Sequence, residues 1–332
     1  MLLAAGGTGG HLFPAFALAE ELGRRGYEID LATDMRGDRY GTGFPARAIH
    51  RLPAATLASR SPVRVAATAW TIGRGVLQAH GLIGRLRPAA VVGFGGYPSF
   101  APLIAARLRG VGSALHEQNA VLGRANRMLA KSVTAIATSF PKVRFLDGAM
   151  ARKATLTGNP VRAVVREAAE RPYTAPDTSG PFKLLIFGGS QGARYFSETV
   201  PAALAGLTQS TRARLQVVQQ CREEDLAEVR SAYAQAGIAA ECETFFADLP
   251  QRIAAAHLVI SRAGASSVAE LAVIGRPSIL VPLPGALDSD QLENATSLAA
   301  AGGAECILQR DLDQTRLAAK VVALAETPGR LA

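Results

Sequence analysis

Two glycine-rich segments, each directly after a short apolar run, constrain the fold of this 332-residue chain more than any other feature. GGTGGH at 6–11 follows the apolar run at 2–5, and GGSQGAR at 188–194 follows the run at 183–187. In both places a segment with apolar residues at helical spacing comes next. Glycine lets a backbone approach a ligand closely, and a helix N-terminus offers unpaired N–H groups to an anion. The chain is therefore predicted to open two α/β units in the same way, each with an anion-binding turn.

Short apolar strands alternate with helix-length amphipathic segments along the whole chain, which predicts an α/β fold with doubly wound parallel sheets. The length suggests two domains, on a prior of roughly 150 residues per domain. Gly158-Asn159-Pro160 and the proline-rich segment 171–181 lie between the two sets of elements. We therefore predict a first domain at 1–162 and a second at 163–332, with a ligand cleft between them.

The two predicted domains differ in charge. Residues 1–165 carry 21 Lys and Arg against 8 Asp and Glu, whereas residues 166–332 carry 15 against 19. Between Asp38 and Glu117, ten arginines occur without a single carboxylate. This asymmetry predicts that the first domain faces an anionic surface or ligand, and an arginine-rich proteome is the alternative explanation.

Composition excludes several classes of protein. Hydrophobic residues make up 48% and charged residues 19%, which excludes a disordered chain. One Trp and six Tyr leave few rings for stacking on bases, so no nucleic-acid partner is expected. The three cysteines form no CxxC pattern, so we expect neither zinc nor disulfides and a reduced compartment. No secretory signal precedes the first glycine turn, and prolines and glycines interrupt the uncharged stretch 88–106, so a cytoplasmic protein is expected.

Further candidate site segments follow predicted strands. GFGGYP at 93–98 is a third glycine turn, and RAGASS at 262–267 leads into a helix that carries Glu270. Small residues and hydroxyls at a helix start suit a diphosphate, and a carboxylate one turn further can accept both ribose hydroxyls. The alternative is a capping box that pairs Ser267 with Glu270. Two D-x-D segments, at 288–290 and 311–313, resemble a metal–diphosphate signature in the wrong context, so no metal is predicted.

Histidine placement suggests a proton acceptor. Of five histidines, only His11 lies in a glycine turn. A helix N-terminus disfavours an imidazolium, so this ring should stay neutral and able to accept a proton. The polar cluster His116-Glu117-Gln118-Asn119 follows a predicted strand and marks the edge of a site.

The segment 64–77 is amphipathic and contains the only Trp of the chain. Val65, Ala69, Ile72 and Val76 share one helical face, with Trp70 and Leu77 beside it. A basic-rimmed apolar helix with an interfacial Trp predicts contact with an anionic membrane surface, and a core-facing helix is the alternative. The predicted membrane contacts are Arg64, Val65, Trp70, Ile72, Arg74 and Val76.

Six motifs occur in order along the chain: GGTGGH, GFGGYPS at 93–99, HEQN at 116–119, GNPVR at 158–162, GGSQGAR and RAGASSVAE at 262–270. On these motifs the chain closely resembles the MurG family of bacterial peptidoglycan transferases over nearly its whole length. The resemblance implies a GT-B fold of two Rossmann-like domains. It also implies an inverting transfer of N-acetylglucosamine from UDP-N-acetylglucosamine, independent of metal and cofactor.

The acceptor that the resemblance implies is the 4-hydroxyl of the N-acetylmuramyl unit in undecaprenyl-diphosphate-linked muropeptide (lipid I), and the product is lipid II. The family works peripherally at the cytoplasmic face of the inner membrane, so an anionic membrane surface and other cell-wall synthesis proteins are expected as further partners.

Matching these motifs residue by residue assigns predicted roles. His11 matches the proposed base. The predicted donor contacts are Thr8, Gly9, Gly10, Asn119, Arg162, Ser190, Phe246, Ala265, Ser266, Ser267, Val268, Ala269, Glu270 and Gln291. The predicted contacts of the acceptor diphosphate are Gly6, Gly7, Gly9, Gly10, Gly95, Gly96 and Tyr97.

Two departures from the family pattern bear on these assignments. Asp290 stands before Gln291, where the family often has His or Gln, so the sugar hydroxyls are expected to be held differently. The family usually continues with a C-terminal helix that crosses back to the first domain, and this helix is expected to be missing or shortened here.

Other functions stay open on sequence alone. A UDP-N-acetylglucosamine 2-epimerase or another GT-B transferase would share the fold and the donor, although HEQN and the basic first domain disfavour the epimerase. A nicotinamide-dependent oxidoreductase is disfavoured because Leu12 replaces the third glycine of the dinucleotide fingerprint. A non-catalytic adaptor at the membrane surface is the remaining alternative.

Overall fold

The computed structural model describes residues 1–6, 9–34, 43–55, 61–189 and 192–331. The chain divides into two compact units, Met1–Ala163 and Val164–Ala332. The sequence prediction placed this boundary after residue 162. No helix among the described residues combines the length and the apolar character needed to span a membrane.

Among the described residues of the first unit, seven parallel strands form one sheet in the order β3-β2-β1-β4-β5-β6-β7. The strands are β1 (Leu2–Ala4), β2 (Asp30–Thr33), β3 (Ala48–Arg51), β4 (Val91–Gly93), β5 (Ser113–Glu117), β6 (Ala135–Thr138) and β7 (Ala154–Leu156). The helices are α1 (Gly9–Arg24), α2 (Pro62–Leu86), α3 (Phe100–Leu108), α4 (Arg124–Leu129) and α5 (Gly148–Ala151), and α6 (Ala163–Ala169) begins at the unit boundary.

In the described part of the second unit, six parallel strands follow the Rossmann order β10-β9-β8-β11-β12-β13. They are β8 (Phe182–Phe187), β9 (Leu215–Gln220), β10 (Ala239–Glu243), β11 (Leu258–Ser261), β12 (Ser278–Leu280) and β13 (Ala304–Cys306). The helices are α7 (Arg194–Ala205), α8 (Gln209–Arg214), α9 (Leu226–Gln235), α10 (Leu249–Ala255), α11 (Ala265–Ile274), α12 (Asp290–Ala300) and α13 (Gln314–Glu326).

The central strands are apolar on both faces because helices cover both sides of a parallel sheet. Leu2, Leu3 and Ala4 of β1 are fully buried, and so is nearly every side chain of β8. Alternate residues of β1 supply two separate cores of the first unit: Leu2 and Ala4 join one, and Leu3 joins the other. The two glycine turns thus start from strands that are buried almost completely, which fixes the position of each turn.

Several elements differ from the sequence prediction. The first helix begins at Gly9, inside the glycine segment, rather than after that segment. The sequence gives no sign of β3, β7 or β13, whose side chains are half-buried or exposed. All three are outermost strands of their sheets, so they lack the continuous apolar runs that reveal the central strands.

Candidate functional site

The sheet order of the first unit places its candidate site. The strand order reverses between β1 and β4, and ligands of open α/β sheets bind beyond the carboxyl ends of the strands at such a switch point. The segments that follow β1, β4 and β5 carry GGTGGH, GFGGYP and HEQN, respectively. Because β1, β4 and β5 are neighbours, three motifs that are far apart in sequence meet at one sheet edge.

His11 lies in the first turn of α1, and its half-buried ring packs on the glycines after β4. A Cβ built on Gly95 would lie 3.3 Å from His11 Cε1, and one on Gly96 would lie 3.3 Å from Cδ2. Both glycines have positive φ, +90° and +69°. A side chain at either position would press on the ring, so the two glycines permit this close packing. Ser99 ties the turn to β1, since its hydroxyl lies 2.8 Å from the carbonyl oxygens of Ala4 and Gly95.

The HEQN motif reaches His11 through Gln118. Gln118 Oε1 lies 3.0 Å from His11 Nδ1, and Gln118 Nε2 lies 3.0 Å from His116 Nδ1. His116 Nε2 in turn lies 3.0 Å from the carbonyl oxygen of Gly158. Gln118 is 1% and His116 is 4% exposed. Burial lowers the pKa of His116 to about 4, so this ring is neutral at physiological pH.

The carboxylate of Glu117, which is 1% exposed, organises the other side of the motif. Its Oε1 accepts hydrogen bonds from the backbone N–H and side-chain amide of Asn119, at 3.0 and 3.3 Å. Its Oε2 accepts from the Gly123 N–H at 2.9 Å and from Asn126 Nδ2 at 2.7 Å. Asn126 Oδ1 is buried beside Gly95 and has no hydrogen-bond partner among the described residues. An acceptor is therefore available next to the His11 ring.

Arg162 is brought to the same end of α1 by a cation–π contact. Its guanidinium lies 4.2 Å from the centre of the Phe13 ring, and that ring packs against Gly9. Glu20 accepts a hydrogen bond from the Ala163 N–H and so anchors this end of the unit to α1. The predicted contacts Gly6, Gly10 and Tyr97 also lie at the ends of β1 and β4, whereas Gly7 and Thr8 lie outside the described residues.

The second unit has its own switch point, between β8 and β11. The turn after β8 is tight: a Cβ on Gly188 would lie 2.4 Å from the Ala193 nitrogen, and Gly189 and Gly192 have φ of +84° and +68°. The predicted donor contact Ser190, in this turn, lies outside the described residues.

After β11 the chain enters α11, whose N-cap residue is Gly264. Glycine offers no side chain to cap the helix, so within the part of the chain that the structure describes no N-cap side chain satisfies the first-turn N–H groups of Ser266 and Ser267. The Ser266 hydroxyl oxygen is also buried without a hydrogen-bond partner among the described residues. Val268 and Ala269 follow on this helix, and Glu270 is buried one turn further.

The alternative capping box is wrong. It needs Ser267 at the N-cap and Glu270 three residues later. The helix begins at Ala265, so Ser267 is its third residue and Glu270 its sixth. The glycine at 264 adopts the extended N-cap conformation, three residues before the Ser267 that the capping-box pattern requires.

Gln291 is held against the β11 turn by its side-chain carbonyl. Its Oε1 accepts from the backbone N–H groups of Ala263 at 3.3 Å and Leu283 at 3.0 Å. The Nε2 end of the amide is therefore the end that can donate a further hydrogen bond. Asp290, the departure from the family pattern, accepts from the Gln291 N–H at 2.7 Å.

Arg262 follows β11 directly, and the predicted donor contact Phe246 follows β10. Arg262 is buried, and its guanidinium donates to the carbonyl oxygens of Val281 and Pro282 at 3.1 and 3.3 Å. Burial lowers its pKa. Phe246 is buried just after the outer strand β10, with the Arg252 guanidinium 4.3 Å from its ring centre.

Three buried polar residues near the predicted site segments were not predicted from the sequence: Arg262, Asn126 and Asn294. Asn294 is fully buried and donates to the Ala263 carbonyl at 3.1 Å. Arg262 stands at the start of the RAGASSVAE motif, and a charged residue directly after an apolar strand is the signal that could have marked it. The two asparagines stand in amphipathic helices without a motif, and only their tertiary contacts reveal them. Among the described residues, no group of three or more His, Cys, Asp or Glu is placed to hold a metal.

The amphipathic segment forms the first half of α2 and exposes large apolar side chains. Trp70 is 72%, Leu77 is 74% and Val65 is 44% exposed. Trp70 and Leu77 lie two turns apart and therefore share a face. Ile72 is half-buried, and Val76 packs against a core of the first unit. The exposed apolar face is thus centred on Trp70 and Leu77 rather than on the predicted Val65–Val76 line.

Comparisons with known proteins agree with this architecture. The family models for the N-terminal and C-terminal domains of glycosyltransferase family 28 match residues 1–138 and 183–332. A UDP-N-acetylglucosamine--N-acetylmuramyl-(pentapeptide) pyrophosphoryl-undecaprenol N-acetylglucosamine transferase of Mesorhizobium japonicum is 54% identical over 100% of this chain and 88% of its own length. A Bradyrhizobium protein of the same name is 55% identical over 100% of this chain and 90% of its own.

Solved structures show the same similarity. The crystal structure of Acinetobacter baumannii MurG superposes with a TM-score of 0.77 at 28% identity, over 98% of this chain and 90% of that one. The glycosyltransferase of kitacinnamycin, at 17% identity and a TM-score of 0.68 over 99% of this chain and 91% of its own, shares the fold.

Two parallel-sheet Rossmann-like units with glycine turns at both switch points define a glycosyltransferase of the GT-B class. The chain belongs to glycosyltransferase family 28 and, within it, to the MurG transferases. The fold class and the family predicted from the sequence are confirmed.

Proposed function

We propose that this protein transfers N-acetylglucosamine from UDP-N-acetylglucosamine to the 4-hydroxyl of the N-acetylmuramyl unit of lipid I and so forms lipid II for peptidoglycan synthesis. The observation that carries this proposal is the 54–55% identity, over the whole chain, to transferases named for that reaction. The Ser266 hydroxyl and Asn126 Oδ1 support it, because both are buried without a hydrogen-bond partner among the described residues and so can bond to a substrate.

The donor binds at the β11–α11 turn of the second unit in this proposal. The first-turn N–H groups of α11 and the Ser190 turn hold the diphosphate, and Glu270 accepts the two ribose hydroxyls. The Nε2 group of Gln291 donates to a sugar hydroxyl. As the anomeric carbon–oxygen bond breaks, the UDP leaving group gains negative charge. Each aligned N–H donor contributes roughly 3–4 kcal/mol to stabilising that charge.

The acceptor binds at the glycine turns of the first unit, Gly6–Gly10 and Gly95–Gly96. The 4-hydroxyl oxygen attacks the anomeric carbon on the face opposite to UDP, which inverts the configuration. Its proton goes to His11. General-base catalysis of this kind contributes about 10²–10⁴-fold to the rate. Asn119 and Arg162 stay predicted donor contacts of the first unit.

A test of the transfer reaction uses labelled UDP-N-acetylglucosamine and a short-chain lipid I analogue. We expect a β-linked disaccharide product, and we expect His11→Gln to lower kcat by about 10²–10⁴-fold while the Kd for UDP is unchanged. UDP release without disaccharide, or full turnover of His11→Gln, would contradict the proposal.

Glu270 is tested separately by calorimetry with UDP and 2′-deoxy-UDP. The wild type should bind UDP more tightly, and Glu270→Gln should reduce that preference. Glu243→Gln, a change in an exposed carboxylate of β10, is the matched control. An equal preference in wild type and Glu270→Gln would refute the ribose assignment.

The exposed Trp70–Leu77 face of α2 is proposed to contact an anionic membrane surface, with Arg64 and Arg74 beside it. This contact places the protein peripherally at the cytoplasmic face of the inner membrane. Trp70 is the only Trp of the chain, so its fluorescence reports on this face directly. We expect a blue shift with vesicles containing anionic lipid, weakened by salt, and loss of vesicle binding in Trp70→Ser. Tyr27→Ser, at another exposed ring, is the control. An unshifted spectrum would contradict the contact.

A further inference from the structure

His11, Gln118, His116 and the Gly158 carbonyl form one continuous chain of hydrogen bonds. The three links are 3.0 Å each: His11 Nδ1 to Gln118 Oε1, Gln118 Nε2 to His116 Nδ1, and His116 Nε2 to the Gly158 oxygen. The chain runs from the proposed base to the end of β7. Gln118 and His116 are almost completely buried.

The direction of every bond in this chain follows from two backbone carbonyls, which can only accept. Gln118 Nε2 lies 2.9 Å from the His116 carbonyl oxygen, so this end of the amide must be the NH2 group. The opposite end, facing His11, is then the oxygen. His116 Nε2 faces the Gly158 carbonyl and therefore carries the proton, which leaves Nδ1 of the neutral ring to accept from Gln118.

We propose that Gln118 and His116 are positioning residues that hold neutral His11 in the Nδ1–H tautomer, with the Nε2 lone pair free to take the acceptor proton. The opposite tautomer would place the Nδ1 lone pair against the lone pairs of Gln118 Oε1 and lose that hydrogen bond. His11 Nε2 lies 3.5 Å from where a Cβ of Gly96 would stand, so the basic nitrogen borders the glycine turn. The consequence for the rate rests on the proposed function, whereas the tautomer itself does not.

The expected size of the effect follows from other enzymes that orient a histidine base. Replacing the group that selects the tautomer lowers kcat by about 10⁴-fold when that group is a carboxylate. A neutral amide gives no charge stabilisation to the imidazolium, so we expect a smaller loss, on the order of 10²-fold.

The test combines ¹⁵N NMR of histidine-labelled protein with kinetics. The His11 signals are assigned by their loss in His11→Gln. We expect wild-type His11 to carry its proton on Nδ1, and Gln118→Met to lose this preference and about 10²-fold in kcat with an unchanged Kd for UDP. Gln219→Met is the matched control, because Gln219 is a fully buried glutamine of the second unit.

A proton on Nε2 of wild-type His11, or full kcat in Gln118→Met, would overturn the inference. The wild-type spectrum decides the tautomer even where Gln118→Met fails to fold. An inactive wild type whose His11 carries its proton on Nδ1 would instead contradict the proposed function and leave the tautomer assignment standing.

Discussion

Replacing Glu117 by glutamine tests how the HEQN segment is held. The carboxylate accepts four hydrogen bonds, two on each oxygen. Glutamine keeps the shape but turns one oxygen into an NH2 group that faces two N–H donors. Two buried donors then lose their acceptor, at about 1–3 kcal/mol each, or about 2–6 kcal/mol together. Removing a buried charge acts in the opposite direction, but four N–H donors already replace its hydration, so the loss dominates.

The assay is thermal unfolding of the full chain followed by circular dichroism. For a unit of this size, Tm falls by about 2–4 °C for each kcal/mol lost from the free energy of unfolding. Glu117→Gln should therefore lower Tm by on the order of 10 °C. Glu243→Gln removes an exposed ion pair with Arg230 and should cost less than about 1 kcal/mol. Equal Tm values for the two variants would refute the reasoning, because the buried hydrogen bonds would then contribute no more than a surface ion pair.

Three further predictions concern the donor turn, pH and metal ions. Gly188→Ala should abolish UDP binding in calorimetry because its Cβ would lie 2.4 Å from the Ala193 nitrogen, whereas Gly23→Ala, with open space around it, should bind normally. His116 takes up a proton near pH 6.5 when unfolded but only near pH 4 when folded, so about 3 kcal/mol of stability should be lost as pH falls through this window. Urea titrations should show that slope in wild type and not in His116→Gln. The transfer reaction should keep its full rate in EDTA. A loss of activity in EDTA that a divalent cation reverses would contradict the stabilisation of the leaving group by N–H donors.

The central strands were predictable because the apolar runs that mark them in the sequence are also the segments that the fold buries. The runs at 2–5 and 183–187 are apolar, β-forming and followed by glycine, and each becomes a central strand. The edge strands β3 and β7 gave no such signal, since none of their side chains is fully buried. Their assignment depends on pairing with β2 and β6, which a local pattern does not contain.

The site residues divide in the same way. His11 and the glycine turns were predictable because one local pattern places them beside a strand end. The link from His11 to Gln118 spans 107 positions and depends on β1, β4 and β5 being neighbours. Gln118 stood in a recognised polar cluster, yet its part in orienting His11 follows only from the direction of its amide.

The carbonyl of Gly158 links the outer edge of the first sheet to the proposed base, because it accepts the hydrogen bond that orients His116. Gly158 follows β7, the last strand of that sheet, and its own N–H reaches Thr138 on β6 at 3.2 Å. Edge strands are the elements that fray first, and fraying here would release the His116 proton from its acceptor. An active enzyme should therefore show slow amide exchange at Thr157 and Gly158. Loss of β7 pairing would then lower the activity of His11, although β7 does not contact it.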